Sequence, residues 1–328
     1  MTDGSVSLGV FGAGAWGTAL ALAAARAGCR VLLVGRDPLV ADLSQRTRQS
    51  PHLAGVVLDP AIDVTADMFR LQDMDAVVLA VPAQATREAI GPLAATLRPG
   101  TPVVSAAKGI DRTTGGLITD VIAAAYGHGP VAVLSGPGFA SEVALGLPTA
   151  VTVAAEDFAV AKAIAICVAG PTFRPYTTTD VIGVQLGGAL KNVLAIAAGV
   201  VAGRRLGASA EAAVITRGFA EMRRLAAAMG ARPDTLMGLS GLGDLVLTCR
   251  SAQSRNYSLG LEIGGGGDPR QFGRLAEGAA TAAVAVERAG SFAVEVPIMS
   301  AVADVLDGSV TVDAAVDLLL ARPLKRED

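Results

Sequence analysis

The feature that most constrains this chain is Gly12-Ala13-Gly14-Ala15-Trp16-Gly17, a GxGxxG run directly after the apolar stretch Leu8-Gly9-Val10-Phe11. A strand that turns sharply on a glycine into a helix opens a βαβ dinucleotide-binding unit. Each glycine has its own task. Gly12 permits the tight turn, Gly14 lets the backbone approach a pyrophosphate, and Gly17 lets helix and strand pack closely. Ala15 and Trp16 start the helix, whose N-terminus offers free N–H groups and a partial positive charge to the phosphates. The helix runs over residues 15–27 and is capped by Gly28. The next strand ends at Val34-Gly35-Arg36-Asp37. An NAD site places Asp or Glu there for the ribose 2′-hydroxyl. Here Arg36 comes first and can pair with a 2′-phosphate. NADP(H) is therefore favoured as cofactor, with NAD(H) as the alternative.

Further apolar runs at residues 76–81, 103–106 and 131–134 are bounded by Gly, Pro or charge and separated by helical stretches. Such continuous runs predict a parallel sheet covered on both faces. Residues 151–154 and 173–176 are candidates to extend it. Near Asp180 the texture changes to helices and loops. Val214, Gly218, Leu225 and Met229 recur at helical spacing, Gly230 ends that helix, and residues 264–267 form a glycine-rich loop. The 328 residues suit two domains. The expected fold class is α/β: a Rossmann-type doubly wound sheet over residues 1–180, then an all-helical substrate domain over residues 181–328.

Net charge is −3, so no broad positive field serves a nucleic-acid partner. A small anionic substrate must be held by a few local cations. Hydrophobic residues make up 52% but aromatics only 4%, which points to tight packing of small side chains. The apolar run 193–203 falls short of the roughly 20 residues a bilayer span needs. The opening residues show neither a basic segment nor a long apolar core, so no signal peptide and a cytoplasmic location are expected. Cys29, Cys167 and Cys249 are scattered and only His52 and His128 are available, so no disulfide framework or metal site is expected.

Four groups carry chemistry. Lys191 sits among small and apolar residues in Gly187-Gly-Ala-Leu-Lys-Asn-Val-Leu194 on a predicted helix; a lysine desolvated there has a lowered pKa and suits general acid/base work. The alternative is a helix lysine reaching to solvent. Asp244 ends a Gly-Leu-Gly-Asp loop, either as a substrate contact or as a helix N-cap. Ser254-Arg255-Asn256 offers a planar guanidinium beside two hydrogen-bonding side chains, a clamp for phosphate or else a surface turn. Lys108 follows a strand end, where open α/β sheets bind ligands.

Six blocks, Gly12 to Ala21, Ser105 to Gly109, Leu134 to Pro148, Gly187 to Asn192, Gly238 to Asp244 and Ser254 to Asn256, resemble the bacterial NAD(P)-dependent glycerol-3-phosphate dehydrogenases, in that family's order. The resemblance implies interconversion of dihydroxyacetone phosphate and sn-glycerol 3-phosphate, feeding glycerophospholipid synthesis, and a homodimer. It implies Lys191 as catalytic acid/base; Asn192, beside it, is placed to meet the reacting oxygen or orient the lysine, or else is a helix-surface or capping amide. Asp244 and Thr248 would join them at the substrate. Ser254, Arg255 and Asn256 would hold the phosphate, with Arg255 also near the cofactor. Lys108 would serve both ligands, Gly136 and Gly138 the substrate, and Ala140, Leu275 and Glu277 the cofactor.

The chain departs from the family at Gly138, where Ser or Thr is usual, at Gln49 to Ala54 in place of an Asn-x-x-Tyr-Leu-Pro segment, and at Ser209 in place of Asn. These departures bear on affinity rather than reaction class. Two other readings stand beside this one. One is a lysine-using dehydrogenase of a 3-hydroxy acid or sugar acid. The other is a non-catalytic NADP(H) sensor, which has no use for Lys191, Asp244 and a separate anion clamp.

Overall fold

Among the described residues, ten strands carry the first part of the chain: β1 (Ser7–Phe11), β2 (Arg30–Val34), β3 (Gln49–Ser50), β4 (Leu53–Val57), β5 (Ile62–Thr65), β6 (Ala76–Leu79), β7 (Val103–Ser105), β8 (Val131–Ser135), β9 (Thr149–Ala155) and β10 (Phe173–Thr178). The structure, a computed structural model, describes residues 6–323. Residues 1–5, part of the opening read for a signal peptide, lie outside it. Eight strands form one sheet in the order β10-β9-β8-β7-β6-β1-β2-β5, and β3 pairs with β4 in a separate hairpin.

Side chains alternate across the sheet, so a strand apolar throughout must be covered on both sides. Leu8, Val10, Val31 and Leu33 pack on the face covered by the helix Ala15–Arg26. Leu32, Val34, Val77 and Leu79 pack on the other, against Ile90, Leu93, Ile118 and Ile122. The strands from β8 through β5 are parallel. The expected extension of the sheet is present, but β9 pairs antiparallel with β8, and β10 follows β9. The segment 136–148 therefore leaves and re-enters the sheet at a single edge.

Beyond β10 the chain is helical. Asp180 starts the helix Val181–Gly203 by accepting a hydrogen bond from Gly183 N at 2.8 Å. By length and composition this helix is apolar enough to cross a bilayer, but 83% of its most apolar window is buried. A helix apolar all round belongs in a core, and here the helices Ala208–Ala228, Arg255–Gly264 and Glu277–Ser291 pack around it. All three cysteines are buried. Burial pushes the Cys167 thiol up to about 11 and the Cys249 thiol up to about 12.

Candidate active site

The strand order turns back on itself between β1 and β6, and the crevice at their C-terminal ends is where such sheets bind ligands. Gly12 stands at φ +117°, and a Cβ there would lie 2.6 Å from the Ala80 carbonyl oxygen. A Cβ on Gly17 would overlap the Gly12 carbonyl oxygen, whereas one on Gly14 would meet nothing within 4 Å. Two glycines thus close the turn and one leaves open space at the helix start, which is the shape a pyrophosphate fits.

A cleft of about 770 Å³ runs from Gly14 past Gly35 and Arg36 to Pro82, and joins a second of about 570 Å³ that reaches Lys191. Arg36 is exposed on its rim and makes no hydrogen bond or ion pair among the described residues. The Asp37 carboxylate instead caps the helix Pro38–Thr47, accepting from Leu39 N at 2.9 Å and Val40 N at 3.4 Å.

In the second cleft three charged groups converge. Lys191 Nζ donates to Asp244 Oδ1 at 2.8 Å and to Thr248 Oγ1 at 2.6 Å. Lys108 Nζ donates to Asp244 Oδ2 at 2.6 Å and to the Gly136 carbonyl at 2.8 Å. The Lys191 side chain is 7% exposed and that of Asp244 1%, so neither charge is screened by bulk water. Burial, opposed by Asp244 and reinforced by Lys108, brings the Lys191 ammonium down to about 8. Burial alone would raise the Asp244 carboxyl, but the two ammonium groups outweigh it and hold it below the usual range.

Asp244 is placed by a π-helical turn, Leu239–Gly243, which hands over to the short helix Asp244–Thr248. Asp244 is the first residue of that helix, not its cap, so the alternative N-cap role falls away and its carboxylate is free for the lysines. Thr248 lies one turn on, as a helical run predicts. Gly187 and Gly188 admit protein: a Cβ on Gly187 would meet the Ser240 backbone at 2.6 Å, and one on Gly188 the Ser135 hydroxyl at 2.5 Å.

Asn192 faces other partners than Lys191. Among the described residues its amide makes no bond to the lysine; it donates to the Lys108 carbonyl at 3.1 Å and accepts from Asn256 Nδ2 at 2.9 Å. Asn256 Oδ1 in turn accepts from Gly278 N at 2.9 Å. Ser254 caps the helix Arg255–Gly264, accepting from Tyr257 N at 3.2 Å. Arg255 is exposed in the cleft wall, its guanidinium without a hydrogen bond or ion pair among the described residues.

Gly138, Ala140, Leu275 and Glu277 line the same cleft. Glu277 Oε1 accepts from Ala83 N at 3.0 Å, and burial pushes its carboxyl up. Trp16 also lines it, with Lys108 Nζ 5.7 Å from the ring centre and the buried Trp16 indole N–H without a partner among the described residues.

Residues 7–161 match the family described as NAD-dependent glycerol-3-phosphate dehydrogenase N-terminus, and residues 180–317 the corresponding C-terminus. The chain belongs to the NAD-dependent glycerol-3-phosphate dehydrogenase family. A relative in Bradyrhizobium sp. (strain ORS 278), named glycerol-3-phosphate dehydrogenase [NAD(P)+], is 54% identical over 322 residues, covering 98% of each chain. One of the same name in Caulobacter vibrioides is 52% identical over 325 residues, again 98% of each. The crystal structure of glycerol-3-phosphate dehydrogenase from Coxiella burnetii superposes with a TM-score of 0.92 at 36% identity, covering 97% of this chain and 99% of that one.

Against that family background, three features of the site were not read from the sequence. The hairpin β3–β4 brings His52 to the wall shared by both clefts. Ser141 donates across the cleft mouth to Gln253 Oε1 at 3.4 Å. The loop after β6, at the reversal of strand order, is held by Glu277. The Pro51-His52 turn is the signal that points to the first; nothing in the sequence pairs Ser141 with Gln253 or Ala83 with Glu277.

Proposed function

We propose that this chain interconverts dihydroxyacetone phosphate and sn-glycerol 3-phosphate, feeding glycerophospholipid synthesis, with Lys191 as the general acid/base. A nicotinamide cofactor, when bound, supplies the hydride for reduction or takes it up in oxidation. Gly12, Gly14, Ala15, Trp16 and Gly17 would hold its pyrophosphate, and Ala140, Leu275 and Glu277 would line the nicotinamide end. Arg36 would meet a 2′-phosphate; because Asp37 is spent on a helix cap, NADP(H) is the favoured cofactor.

Lys191 gives its proton to the C2 oxygen as the ketone becomes an alcohol, and recovers it from the alcohol in reverse. An ammonium poised near 8 is matched to that exchange at neutral pH. Asp244 and Thr248 fix the direction of the amine. Lys108 adds positive charge beside the reacting oxygen. Arg255, with the Ser254 hydroxyl and the first N–H groups of its helix, receives the phosphate. Asn192 and Asn256 position these groups rather than react. The division between cofactor and substrate domains falls at about residue 180. A cytoplasmic location is proposed, and a homodimer is inferred from the family resemblance; sedimentation of the purified chain tests the oligomer.

The observation that carries this reading is the buried Lys191 Nζ, bound to Asp244 and Thr248 in the wall of a cleft that also contains Gly14. The deciding assay follows NADPH at 340 nm with dihydroxyacetone phosphate, with 3-hydroxy acids as the competing substrates. Lys191→Ala should lower turnover about 10²–10⁴-fold while cofactor affinity is kept. No oxidation of either NADPH or NADH by the unaltered chain at millimolar substrate would refute the proposal.

A further inference from the structure

Lys191 and Arg255 stand on different helices, yet one small substrate has to reach both. The two helices meet backbone to backbone. Cβ atoms built on Gly199 and Gly203 would overlap the carbonyl oxygens of Tyr257 and Leu261, and those on Gly260 and Gly264 the carbonyl oxygens of Ile196 and Val200. With no side chain between them, the spacing has no rotamer through which to adjust. Any side chain at these four positions would collide with the opposing backbone.

At the cleft end of the same pair, Asn256 Nδ2 bonds Asn192 Oδ1 at 2.9 Å. These are the residues next to Arg255 and Lys191. The third side is closed by Gly278, whose N–H bonds Asn256 and whose Cβ would come 2.6 Å from the Asn192 carbonyl oxygen. Gly278 follows Glu277 of the cofactor wall, and Asn192 also holds the Lys108 carbonyl.

We propose that the glycine-interlocked helices Val181–Gly203 and Arg255–Gly264, pinned by the Asn192–Asn256 hydrogen bond, form a fixed frame that selects substrates by the length between carbonyl carbon and phosphate. The inference rests on the dehydrogenase reading above. Asn192, Asn256 and the four glycines are positioning residues. The frame accepts one methylene between the carbonyl and the phosphate ester oxygen and rejects two. A reacting group displaced by about 1 Å loses about 10²-fold in rate, which is the discrimination expected between dihydroxyacetone phosphate and 1-hydroxybutan-2-one 4-phosphate.

The test measures kcat/KM and Kd for both phosphorylated ketones, with unphosphorylated dihydroxyacetone as a substrate that does not use the clamp. Gly260→Ala forces the helices apart, and Asn256→Ala removes the pin without adding atoms. In each, the preference for the shorter ketone should fall at least about tenfold, while in Gly260→Ala kcat/KM for dihydroxyacetone stays within a small factor. If Gly260→Ala does not fold, Asn256→Ala, checked by circular dichroism, decides. An unchanged length preference in a folded variant, or equal losses on all three substrates, overturns the frame. An unaltered chain that binds the phosphorylated ketones but turns neither over refutes the dehydrogenase reading, and the Kd ratio then judges the frame alone. If it binds neither, both fall.

Discussion

Replacing Asp244 by Asn probes the charge balance on which Lys191 depends. The carboxylate accepts from Lys191 at 2.8 Å and from Lys108 at 2.6 Å. It is the main influence raising the Lys191 pKa against burial, and Lys108 acts with burial. A hydrogen bond to a charged partner contributes about 1.5–3 kcal/mol, and about 1.4 kcal/mol corresponds to one pH unit. Losing the negative charge should therefore bring the Lys191 ammonium from about 8 down by about one to two pH units. If, as proposed, the protonated amine is the acid in ketone reduction, the rate declines as pH rises through that value. The assay is the pH profile of kcat/KM for dihydroxyacetone phosphate reduction. In the unaltered enzyme its alkaline limb should lie near 8, and in Asp244→Asn it should lie at about 6–7. A thermal melt separates this from unfolding. A folded Asp244→Asn variant whose alkaline limb has not moved would refute the electrostatic argument.

Three other outcomes are expected. Arg36→Ala should lower kcat/KM for NADPH about tenfold or more, one charge-assisted contact being about 1.5–3 kcal/mol, and leave NADH nearly unchanged; equal effects on both cofactors would remove Arg36 from the 2′-phosphate. Gly138→Ser should fold normally, because a Cβ there meets Thr149 and Trp16 only at 3.4 Å and Val143 at 3.5 Å, and should lower KM for the phosphorylated substrate; a raised KM would show that the space is needed. Burial pushes the Glu221 carboxyl from 4.5 up to about 7, although it accepts hydrogen bonds from Ile298 N and Met299 N. A carboxyl raised in the fold stabilises it most below its unfolded pKa, and that contribution is lost as pH climbs through the folded value. Glu221→Gln should therefore narrow the difference in Tm between about pH 5 and pH 8, by about 1–3 kcal/mol in stability; an unchanged difference would show that Glu221 does not titrate there.

What was legible in the sequence was local. GxGxxG fixes a turn whose three glycines have distinct steric tasks, and Gly12, Gly14 and Gly17 meet three distinct surroundings. Lys191 stands out as one cation in an apolar helix, and burial is what lowers its pKa. Strand direction was not legible, because Val151 to Ala154 has the same apolar pattern whichever way it runs. The role of Asp244 depends on the π turn before it, and an Asp after Gly-Leu-Gly reads equally well as a cap. Asn192 and Asn256 lie 64 positions apart, and nothing in either neighbourhood names the other as its partner. The hairpin β3–β4 was missed because a two-residue strand has no periodicity to detect.

The antiparallel β9 has a consequence for the position of the Lys191 amine. After β9 descends and β10 follows it, the chain emerges at the edge opposite the clefts and must climb back through the thickness of the sheet. From Asp180 the helix gains about 1.5 Å per residue, so Lys191 arrives roughly 16 Å higher, close to the span of five extended residues in β8. Gly188 against Ser135, the last residue of β8, marks that level. Position 191 is thus a count of helical steps against the height of a strand. One residue inserted between Asp180 and Lys191 would swing the amine about 100° around the helix, away from Asp244.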